Sequence, residues 1–297
     1  MASIHSVRQL ASLADVVDEF DAFIIDQFGV LHDGYKRYDK AVATLQMLVD
    51  TGKAVIILSN SGKRSHINIE RMQKLGFARS LFTEFVSSGD VAFATINAQF
   101  IDPQANPGRT QNSKPSSVRI KPGCLLIARD GDKSAVDGLA LTLTDDASKA
   151  AFVVISASES DRFSEQYYIE VLRKAAERQT PCLCTNPDKL MLTPHGIKFG
   201  AGRIAELYES LGGHVQWIGK PYRDVYEHCL RYVPEIPSHR ILCIGDSLEH
   251  DIAGGARAAL KTLLIRNGIH RDMDDVQLAH YMDLHQAVPD YQMHEIG

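Results

Sequence analysis

Short apolar runs rich in β-branched residues recur along the chain and constrain its fold more than any other feature. They cover residues 22–26, 54–59, 124–128, 151–156, 182–186, 215–219, 241–245 and 262–266. Their apolarity is continuous rather than alternating, which is typical of strands covered on both faces. Amphipathic stretches such as 39–53 and 221–233 separate most of the runs and predict helices. The sequence therefore predicts an α/β protein with a mostly parallel sheet.

The segment 102–123 interrupts this rhythm, because Pro, Gly, Asn and Ser dominate it. Such a composition is typical of a long surface loop. Strand and helix patterns resume after the segment, which indicates a second domain inserted into the first. We expect the inserted domain to cover residues 86–199 and the core domain to cover residues 1–85 and 200–297.

Composition and charge limit the classes of partner. The chain has 297 residues, 44% of them hydrophobic, which is enough for two domains with their own cores. Its formal net charge of −5 argues against nucleic acid, which requires clustered Lys and Arg. No apolar run reaches the roughly 18 residues of a membrane span, so we expect no membrane contact. Five cysteines without a C-x-x-C pair are typical of free thiols in a reducing compartment and predict a cytoplasmic location.

Four of the apolar runs end in polar residues of complementary chemistry. These residues are Asp26, Ser59 with Asn60, Lys220, and Asp246 with Asp251 following. Ligands bind at the carboxyl ends of the strands in an open parallel sheet. Two carboxylates from different strands can hold Mg²⁺, while a hydroxyl and an ammonium can bind phosphate oxygens. A single strand-end Asp or Ser is usually a helix cap or a turn residue, so the prediction depends on the whole set.

The segments DQFGVL, ILSNS, GKP and GDSLEHD, in this order, resemble the four motifs of the haloacid dehalogenase (HAD) superfamily of phosphotransferases. More than a hundred residues separate the second segment from the third, which is similar to the class II arrangement with a cap inserted there. The stretch from CTNPDK to IGKP resembles the IIA subfamily, which includes nitrophenyl, sugar and nucleotide phosphatases. The resemblance implies a three-layer Rossmann-like core with an inserted α/β cap of the C2 type.

The resemblance also implies roles for the residues that match the motifs. Asp26 would be the nucleophile that forms an aspartyl-phosphate, and Lys220 would hold nucleophile and phosphate together. Ser59 and Asn60 would bind the phosphoryl group.

Mg²⁺ is the cofactor that the resemblance implies. Its ligands would be Asp26, Asp246 and the backbone carbonyl of Phe28, with Asp251 supporting the water shell of the ion. Specificity would come from a cap loop that faces the substrate and contains Asn186, Asp188 and Lys189.

Phe28 departs from the pattern of the family. In phosphatases of this family, the residue two after the nucleophile is usually an Asp that protonates the leaving group and then activates water. Loss of a general acid typically costs a factor of about 10²–10⁴ in rate. His32 and Asp33 follow in the same loop. A solvated His and an Asp-Gly turn are their simpler interpretations, so neither is assigned a catalytic role.

Two further motifs are typical of other classes of enzyme. FGAGRIA, residues 199–205, fits the G-x-G-x-x-A dinucleotide-binding fingerprint, but the preceding strand and the acidic residue about 20 positions later are not convincing. A tight start of the following helix is the simpler interpretation. GDSL, residues 245–248, matches the opening of a lipase-type motif, but no correctly spaced Asp-x-x-His follows near the C-terminus. We expect Ser247 to cap the next helix instead.

The patterns, together with what the resemblance implies, predict a Mg²⁺-dependent hydrolase that cleaves a small phosphomonoester through an aspartyl-phosphate, with a small phosphorylated metabolite as its partner. Phe28 leaves two alternatives open. One is a HAD-fold protein that binds a phosphorylated ligand with poor or no turnover. The other is a hydrolase of a bond whose leaving group needs no general acid. The sequence does not identify the substrate, and it leaves a homodimer open.

Overall fold

The structure is a computed structural model that describes residues 7–102, 121–193 and 196–297. Contacts between residues divide the chain into two compact units. Among the described residues, unit 1 takes those up to Ser59, Ser65–Val86 and Lys220–Gly297, and unit 2 takes Asn60–Arg64 and Ser87–Gly219. The predicted surface loop at 102–123 falls almost entirely outside the described residues.

Strands and helices are numbered in chain order. The strands are β1 (Arg8–Gln9), β2 (Ala22–Ile25), β3 (Ala54–Ser59), β4 (Glu84–Ser87), β5 (Gly123–Ile127), β6 (Thr142–Leu143), β7 (Phe152–Ile155), β8 (Cys182–Cys184), β9 (Leu190–Thr193), β10 (Gly196–Phe199), β11 (Val215–Trp217), β12 (Ile241–Gly245), β13 (Lys261–Ile265) and β14 (Tyr291–Met293). The α-helices are α1 (Ala41–Asp50), α2 (Ser65–Lys74), α3 (Ser88–Ile96), α4 (Glu165–Glu177), α5 (Ala201–Ser210), α6 (Arg223–Leu230), α7 (Ala253–Arg257) and α8 (Asp275–His285). A π-helical turn at Leu248–Ile252 runs directly into α7.

Unit 1 is built on a seven-stranded sheet with the order β1-β14-β13-β12-β2-β3-β4. The neighbours from β1 to β3 in this order pair in parallel. Successive side chains of a strand point to opposite faces. Phe23 and Ile25 join the core with Leu45 of α1, whereas Leu264 joins the core with Leu278 of α8. Helices therefore cover both faces, and the prediction of a three-layer α/β core is confirmed.

Unit 2 has its own sheet and its own core. Its five strands lie in the order β11-β8-β7-β5-β6, and every pair is parallel. The strands β9 and β10 form a separate antiparallel hairpin. α4 and α5 pack against the sheet through Leu172, Ile204 and Tyr208. The hydroxyl of Tyr208 also donates to the carbonyl of Thr180 at 2.6 Å, which anchors α5 to the start of β8.

The end of the inserted segment differs from the expected boundary at residue 200. Unit 2 continues to Gly219, because Ile204 and Tyr208 of α5 belong to its core and Val215 of β11 pairs with Cys182 of β8. The sequence pattern marked 215–219 as a strand, but apolarity alone does not tell which sheet a strand joins. The role of unit 2 as a substrate-binding cap stays a prediction.

Each of the eight apolar runs overlaps a strand of one of the two larger sheets, as predicted. The amphipathic stretches 39–53 and 221–233 contain α1 and α6. Within the described parts of the chain, no helix is both long and apolar enough to cross a membrane.

Candidate active site

The central strands of unit 1 bring three polar residues to one edge of the sheet. β12, β2 and β3 are neighbours and run in parallel. Asp246 follows the last residue of β12, Asp26 follows β2, and Ser59 ends β3. Because parallel neighbours end at the same edge of a sheet, these side chains share the edge where ligands bind in open α/β sheets.

Lys220 connects two of the carboxylates. Its Nζ donates to Asp26 Oδ1 at 2.6 Å and to Asp251 Oδ1 at 2.7 Å, and all three side chains are buried. Burial alone would lower the pKa of Lys220, but the carboxylates of Asp251 and Asp26 raise it above its ordinary value. The ammonium therefore stays charged and holds Asp26 in place.

Three carboxylates crowd around this single ammonium. Oxygens of Asp26, Asp246 and Asp251 lie within 4.8 Å of one another. If all were ionised, they and Lys220 would carry a net charge of −2 in a buried site. Burial raises the pKa of Asp26 to about 7, with Lys220 opposing and Asp251 adding to the rise. Burial, together with the carboxylates of Asp26 and Asp251, also raises the pKa of Asp246. The uncompensated charge and the hard oxygen donors fit a divalent cation such as Mg²⁺.

Two glycines enclose the carboxylate of Asp246. A Cβ atom at Gly29 or at Gly268 would overlap with Asp246 Oδ2, so the backbone at both positions approaches the carboxylate directly. The backbone N–H of Ile269 donates to the same oxygen at 2.8 Å. Gly29 has a φ of +76°, a conformation that other residues adopt only with strain. The backbone that follows Phe28 therefore lies against Asp246, which is consistent with a carbonyl ligand from Phe28, although that role stays a prediction.

Asp251 is fixed by the turn that follows β12. The backbone N–H of Ser247 donates to Asp251 Oδ2 at 3.1 Å, while Oδ1 accepts from Lys220. The hydroxyl of Ser247 accepts from the backbone N–H of His250 at 3.2 Å, so Ser247 caps the helical turn as predicted. The serine of the GDSL segment therefore acts as a helix cap in this fold.

The ring of Phe28 packs over its own loop. It lies edge-on to the ring of His32, with 4.6 Å between centroids, and Arg71 Cζ lies 4.5 Å from its centroid. The Arg71 guanidinium also donates to the carbonyl of Gly34 at 3.3 Å. Phe28 is 40% exposed, contacts a histidine and a guanidinium, and supplies no titratable group.

Neither neighbour of Phe28 in the loop is arranged as a proton donor. His32 is fully buried, and burial, with Arg71 nearby, lowers its pKa to about 4. The structure thus contradicts the expectation of a solvated His32, because the loop folds back over it. Asp33 accepts hydrogen bonds from the backbone N–H groups of Tyr35 and Lys36, as in a turn, and these bonds lower its pKa.

The residues expected to recognise substrate form a polar group within unit 2. Asn60 Nδ2 donates to Asp188 Oδ1 at 2.8 Å, and the backbone N–H of Asp188 donates to Asn186 Oδ1 at 3.1 Å. Lys189 forms an ion pair with Glu206 at 2.9 Å. Asn60 is thus bonded to the loop 186–189, and its expected contact with phosphate stays a prediction, as do the roles of the loop residues.

The glycines of the FGAGRIA segment have a packing role in unit 2. α5 begins at Ala201, directly after Gly200. A Cβ atom at Gly200 would overlap with the carbonyl of Asp188, and one at Gly202 with the carbonyl of Pro187. The tight start of a helix, rather than a dinucleotide site, accounts for both glycines.

The sequence interpretation missed four residues that shape the site: Gln27, Gly29, Arg71 and Gly268. Gly29 and Gly268 follow strands β2 and β13, where glycine permits close approach of the backbone to a ligand group, so their positions carried a readable signal. Gln27 is adjacent to Asp26, but nothing in the sequence indicates where its side chain points. Arg71 lies on α2, and only the folded chain brings it to the Phe28 loop.

Two family models match the chain. A model described as haloacid dehalogenase-like hydrolase matches residues 23–138, and a HAD-hydrolase-like model matches residues 217–291. The matched ranges contain Asp26 and Ser59 in the first case and Lys220, Asp246 and Asp251 in the second.

Individual relatives cover nearly the whole chain. Chronophin from Homo sapiens is 27% identical over 97% of this chain and 94% of its own length. Glycerol-3-phosphate phosphatase from Rattus norvegicus is 27% identical over 99% of this chain and 94% of its own length. Among solved structures, a haloacid dehalogenase-like hydrolase from Brucella suis 1330 superposes with a TM-score of 0.78 at 27% identity, covering 96% of this chain and 99% of that one.

Proposed function

The chain belongs to the haloacid dehalogenase-like hydrolases and is a phosphatase, and from this premise we propose that it cleaves a small phosphomonoester through an aspartyl-phosphate on Asp26. The observation that carries the proposal is the cluster of Asp26, Lys220, Asp246 and Asp251 at the carboxyl edge of the unit 1 sheet. A buried carboxylate held by an ammonium, next to further carboxylates, is arranged for nucleophilic attack on a phosphoryl group.

The proposed reaction has two steps. In the first, a carboxylate oxygen of Asp26 bonds to phosphorus, and the bond from phosphorus to the ester oxygen breaks, releasing the alcohol as its anion. Lys220 contacts Oδ1 of Asp26, so Oδ2 is the attacking oxygen in this proposal. In the second step, the oxygen of a water molecule bonds to phosphorus and the bond from phosphorus to Oδ2 of Asp26 breaks, which releases inorganic phosphate and the free carboxylate while a proton of the water passes to solvent. Lys220 keeps Asp26 oriented in both steps, and the Ser59 hydroxyl donates to a phosphoryl oxygen.

Asp26, Asp246 and the backbone carbonyl of Phe28 are the groups that would hold Mg²⁺. Asp251, which is bonded to Lys220 and to the turn after β12, would support the water shell of the ion. A bound Mg²⁺ would neutralise charge on the phosphoryl oxygens and keep the carboxylates ionised. The proposal is supported by the net negative charge of the buried cluster and by the close backbone approach at Gly29 and Gly268.

The leaving group must depart without a proton from the residue two after Asp26. Phe28 carries none, His32 is buried and neutral, and Asp33 is held ionised in a turn. A missing general acid typically costs a factor of about 10²–10⁴, and only for leaving groups that are poor anions. We therefore propose that aryl and acyl phosphates react faster than alkyl phosphates by a factor of this order. The same lack of a base slows the second step, so the aspartyl-phosphate accumulates.

A panel of phosphate esters tests the proposal. We expect 4-nitrophenyl phosphate and acetyl phosphate to be hydrolysed with Mg²⁺, kcat/KM for glycerol 3-phosphate to be lower by about 10²–10⁴, and EDTA to abolish all three activities. Rapid mixing with 4-nitrophenyl phosphate should give a burst close to one nitrophenol per enzyme. Equal values of kcat/KM for the aryl and alkyl esters would place a general acid elsewhere in the chain. Hydrolysis without a burst would contradict a rate-limiting second step.

The alternative of a phospho-ligand-binding protein with little turnover rests on the same observation at Phe28. It predicts a burst of one nitrophenol per enzyme followed by almost no further release. A steady rate after the burst excludes this alternative.

A further inference from the structure

A chain of hydrogen bonds lies directly behind Ser59 in unit 1. Gln27 is fully buried, and its Nε2 lies 2.5 Å from Ser59 Oγ. Its Oε1 lies 3.3 Å from His32 Nε2. The backbone N–H of Gly34 donates to His32 Nδ1 at 3.0 Å. These contacts form an unbroken chain from Gly34 through His32 and Gln27 to Ser59, which we call the Ser59 relay.

The Gly34 contact sets the direction of every bond in the Ser59 relay. A backbone amide can only donate, so His32 Nδ1 is an acceptor and carries no proton. An imidazole whose Nδ1 accepts a hydrogen bond cannot be the doubly protonated cation, so the ring of His32 is neutral and its one proton is on Nε2. Nε2–H donates to Gln27 Oε1, which leaves the amide nitrogen of Gln27 to donate to Ser59 Oγ. The reverse orientation of the Gln27 amide would require both ring nitrogens of His32 to be acceptors, which a neutral imidazole cannot provide.

The hydroxyl of Ser59 is consequently an acceptor toward the protein interior. Its own proton must point away from Gln27. Ser59 ends β3, beside β2 and the Asp26 that follows it. Because the hydroxyl accepts from Gln27, it can donate its proton to an anion bound at Asp26. A donor oriented before the anion arrives needs no reorganisation when charge develops.

We propose that Gln27 and His32 are positioning residues that orient the Ser59 hydroxyl as a hydrogen-bond donor to the phosphoryl group. The inference rests on the proposed function, because it takes the bound anion to be a phosphoryl group. The edge contact of Phe28 with His32 covers one side of the relay, so the aromatic residue at this position protects the bonds that orient Ser59.

A double-mutant cycle tests whether Gln27 acts through Ser59. The variants are Gln27→Met, Ser59→Ala and their combination, and the probe is inorganic phosphate as a competitive inhibitor of 4-nitrophenyl phosphate hydrolysis with Mg²⁺. A hydrogen bond to a charged group is worth a factor of about ten or more in affinity, so each single variant should raise the Ki for phosphate and the KM by about tenfold. The combined variant should resemble Ser59→Ala within a factor of about two.

A matched pair at His32 provides the second test. Asn and Leu have similar shapes, but only Asn can accept from the Gly34 N–H and donate to Gln27 Oε1 at once. We expect His32→Asn to retain the Ki for phosphate within a factor of about two, and His32→Leu to raise it like Gln27→Met. Both variants lose the ring that packs against Phe28, so a purely structural role of His32 would move them together. Melting temperatures of all variants are measured alongside the kinetics, and if Gln27→Met fails to fold, the His32 pair decides.

Two failures are distinguishable in these experiments. A wild-type protein that neither hydrolyses 4-nitrophenyl phosphate nor binds phosphate would overturn the proposed function. Other outcomes would overturn the Ser59 relay alone, provided that the wild type is active. These are additive effects of Gln27→Met and Ser59→Ala on the Ki for phosphate, or equal Ki values for His32→Asn and His32→Leu.

Discussion

Asp26 is the residue on which the proposed chemistry depends. Asp26→Asn keeps the size of the side chain but removes the charge that attacks phosphorus, so we expect turnover to fall below detection. The fold should persist, because the substitution also removes one of three crowded carboxylates. Steady-state hydrolysis of 4-nitrophenyl phosphate and thermal unfolding measure the two effects. Asp33→Asn is the matched control in the same loop and should stay active, and activity above about a tenth of wild type in Asp26→Asn would remove the nucleophile from its role.

In the proposed function, Phe28 determines which leaving groups the site can release. At 40% exposure, the ring can be replaced by Asp at lower cost than a core residue. The new carboxylate would lie near Arg71, whose charge lowers the pKa of a neighbouring acid and makes it a poor proton donor. We therefore expect Phe28→Asp to raise the alkyl over aryl ratio of kcat/KM moderately, and the double variant Phe28→Asp, Arg71→Gln to raise it further.

The ratio of kcat/KM for glycerol 3-phosphate and 4-nitrophenyl phosphate measures this effect, with melting temperatures as a check on folding. If kcat/KM in Phe28→Asp rose equally for both substrates, the carboxylate would be acting on something other than the leaving group.

At the scale of elements, the turns after β2 and β13 shape the site as much as the strands do. Gly29 and Gly52 have nearly the same backbone conformation, with φ of +76° and +72°. A Cβ atom at Gly29 would overlap with Asp246. A Cβ atom at Gly52 would have no neighbouring atom within 4 Å. Each Gly→Ala change should cost about 1–2 kcal/mol in the free energy of unfolding from the left-handed backbone. Only Gly29→Ala should also raise the Mg²⁺ concentration needed for half-maximal activity.

Mg²⁺ titrations of activity for Gly29→Ala and Gly52→Ala, with unfolding in urea, separate the two effects. Equal Mg²⁺ dependence in both variants would mean that the approach of Gly29 to Asp246 does not shape the metal site.

The sequence predicted the elements that are apolar over several residues and missed those defined by pairing. All eight apolar runs formed strands, because burial on both faces leaves a continuous pattern. The short edge strands β1 and β6 carry no such pattern, because their residues are exposed and only pairing with a neighbouring strand defines them. Strand ends such as Asp26 and Asp246 were recognisable because the sheet dictates where they meet. The Ser59 relay was not, because side-chain direction depends on the folded loop.

At the scale of the whole molecule, the site joins three distant parts of the sequence. Lys220 lies 194 positions after Asp26 and 31 positions before Asp251, and one ammonium bonds both carboxylates. Such long-range contacts exist only when the chain is folded, because residues far apart in the sequence must be brought together. The charge of the site is therefore coupled to the stability of unit 1.

If Mg²⁺ binds the carboxylate cluster as proposed, this coupling makes its effect on stability depend on pH. Burial raises the pKa of Asp26 from 3.8 to about 7, so between these values the folded protein holds a proton that the unfolded chain has lost. The contribution of Asp26 to the free energy of unfolding therefore falls as pH rises through this range. Buried His32 and His270, whose pKa values burial lowers to about 4, change stability in the opposite sense below their ordinary pKa of 6.5. Their effect is the same with and without metal, so it cancels in the difference.

We therefore expect the rise in melting temperature caused by Mg²⁺ over EDTA to be larger at pH 8 than at pH 6, because Mg²⁺ binds ionised carboxylates and has no proton to displace at the higher pH. At a hundred times the dissociation constant, binding to the native state adds about 2.7 kcal/mol to the free energy of unfolding. For a protein of 297 residues that corresponds to a rise of roughly 4–5 °C. Scanning calorimetry at both pH values, with Asp246→Asn as the control, measures the effect. A rise that is independent of pH, or that persists in Asp246→Asn, would locate the stabilising ion outside the carboxylate cluster.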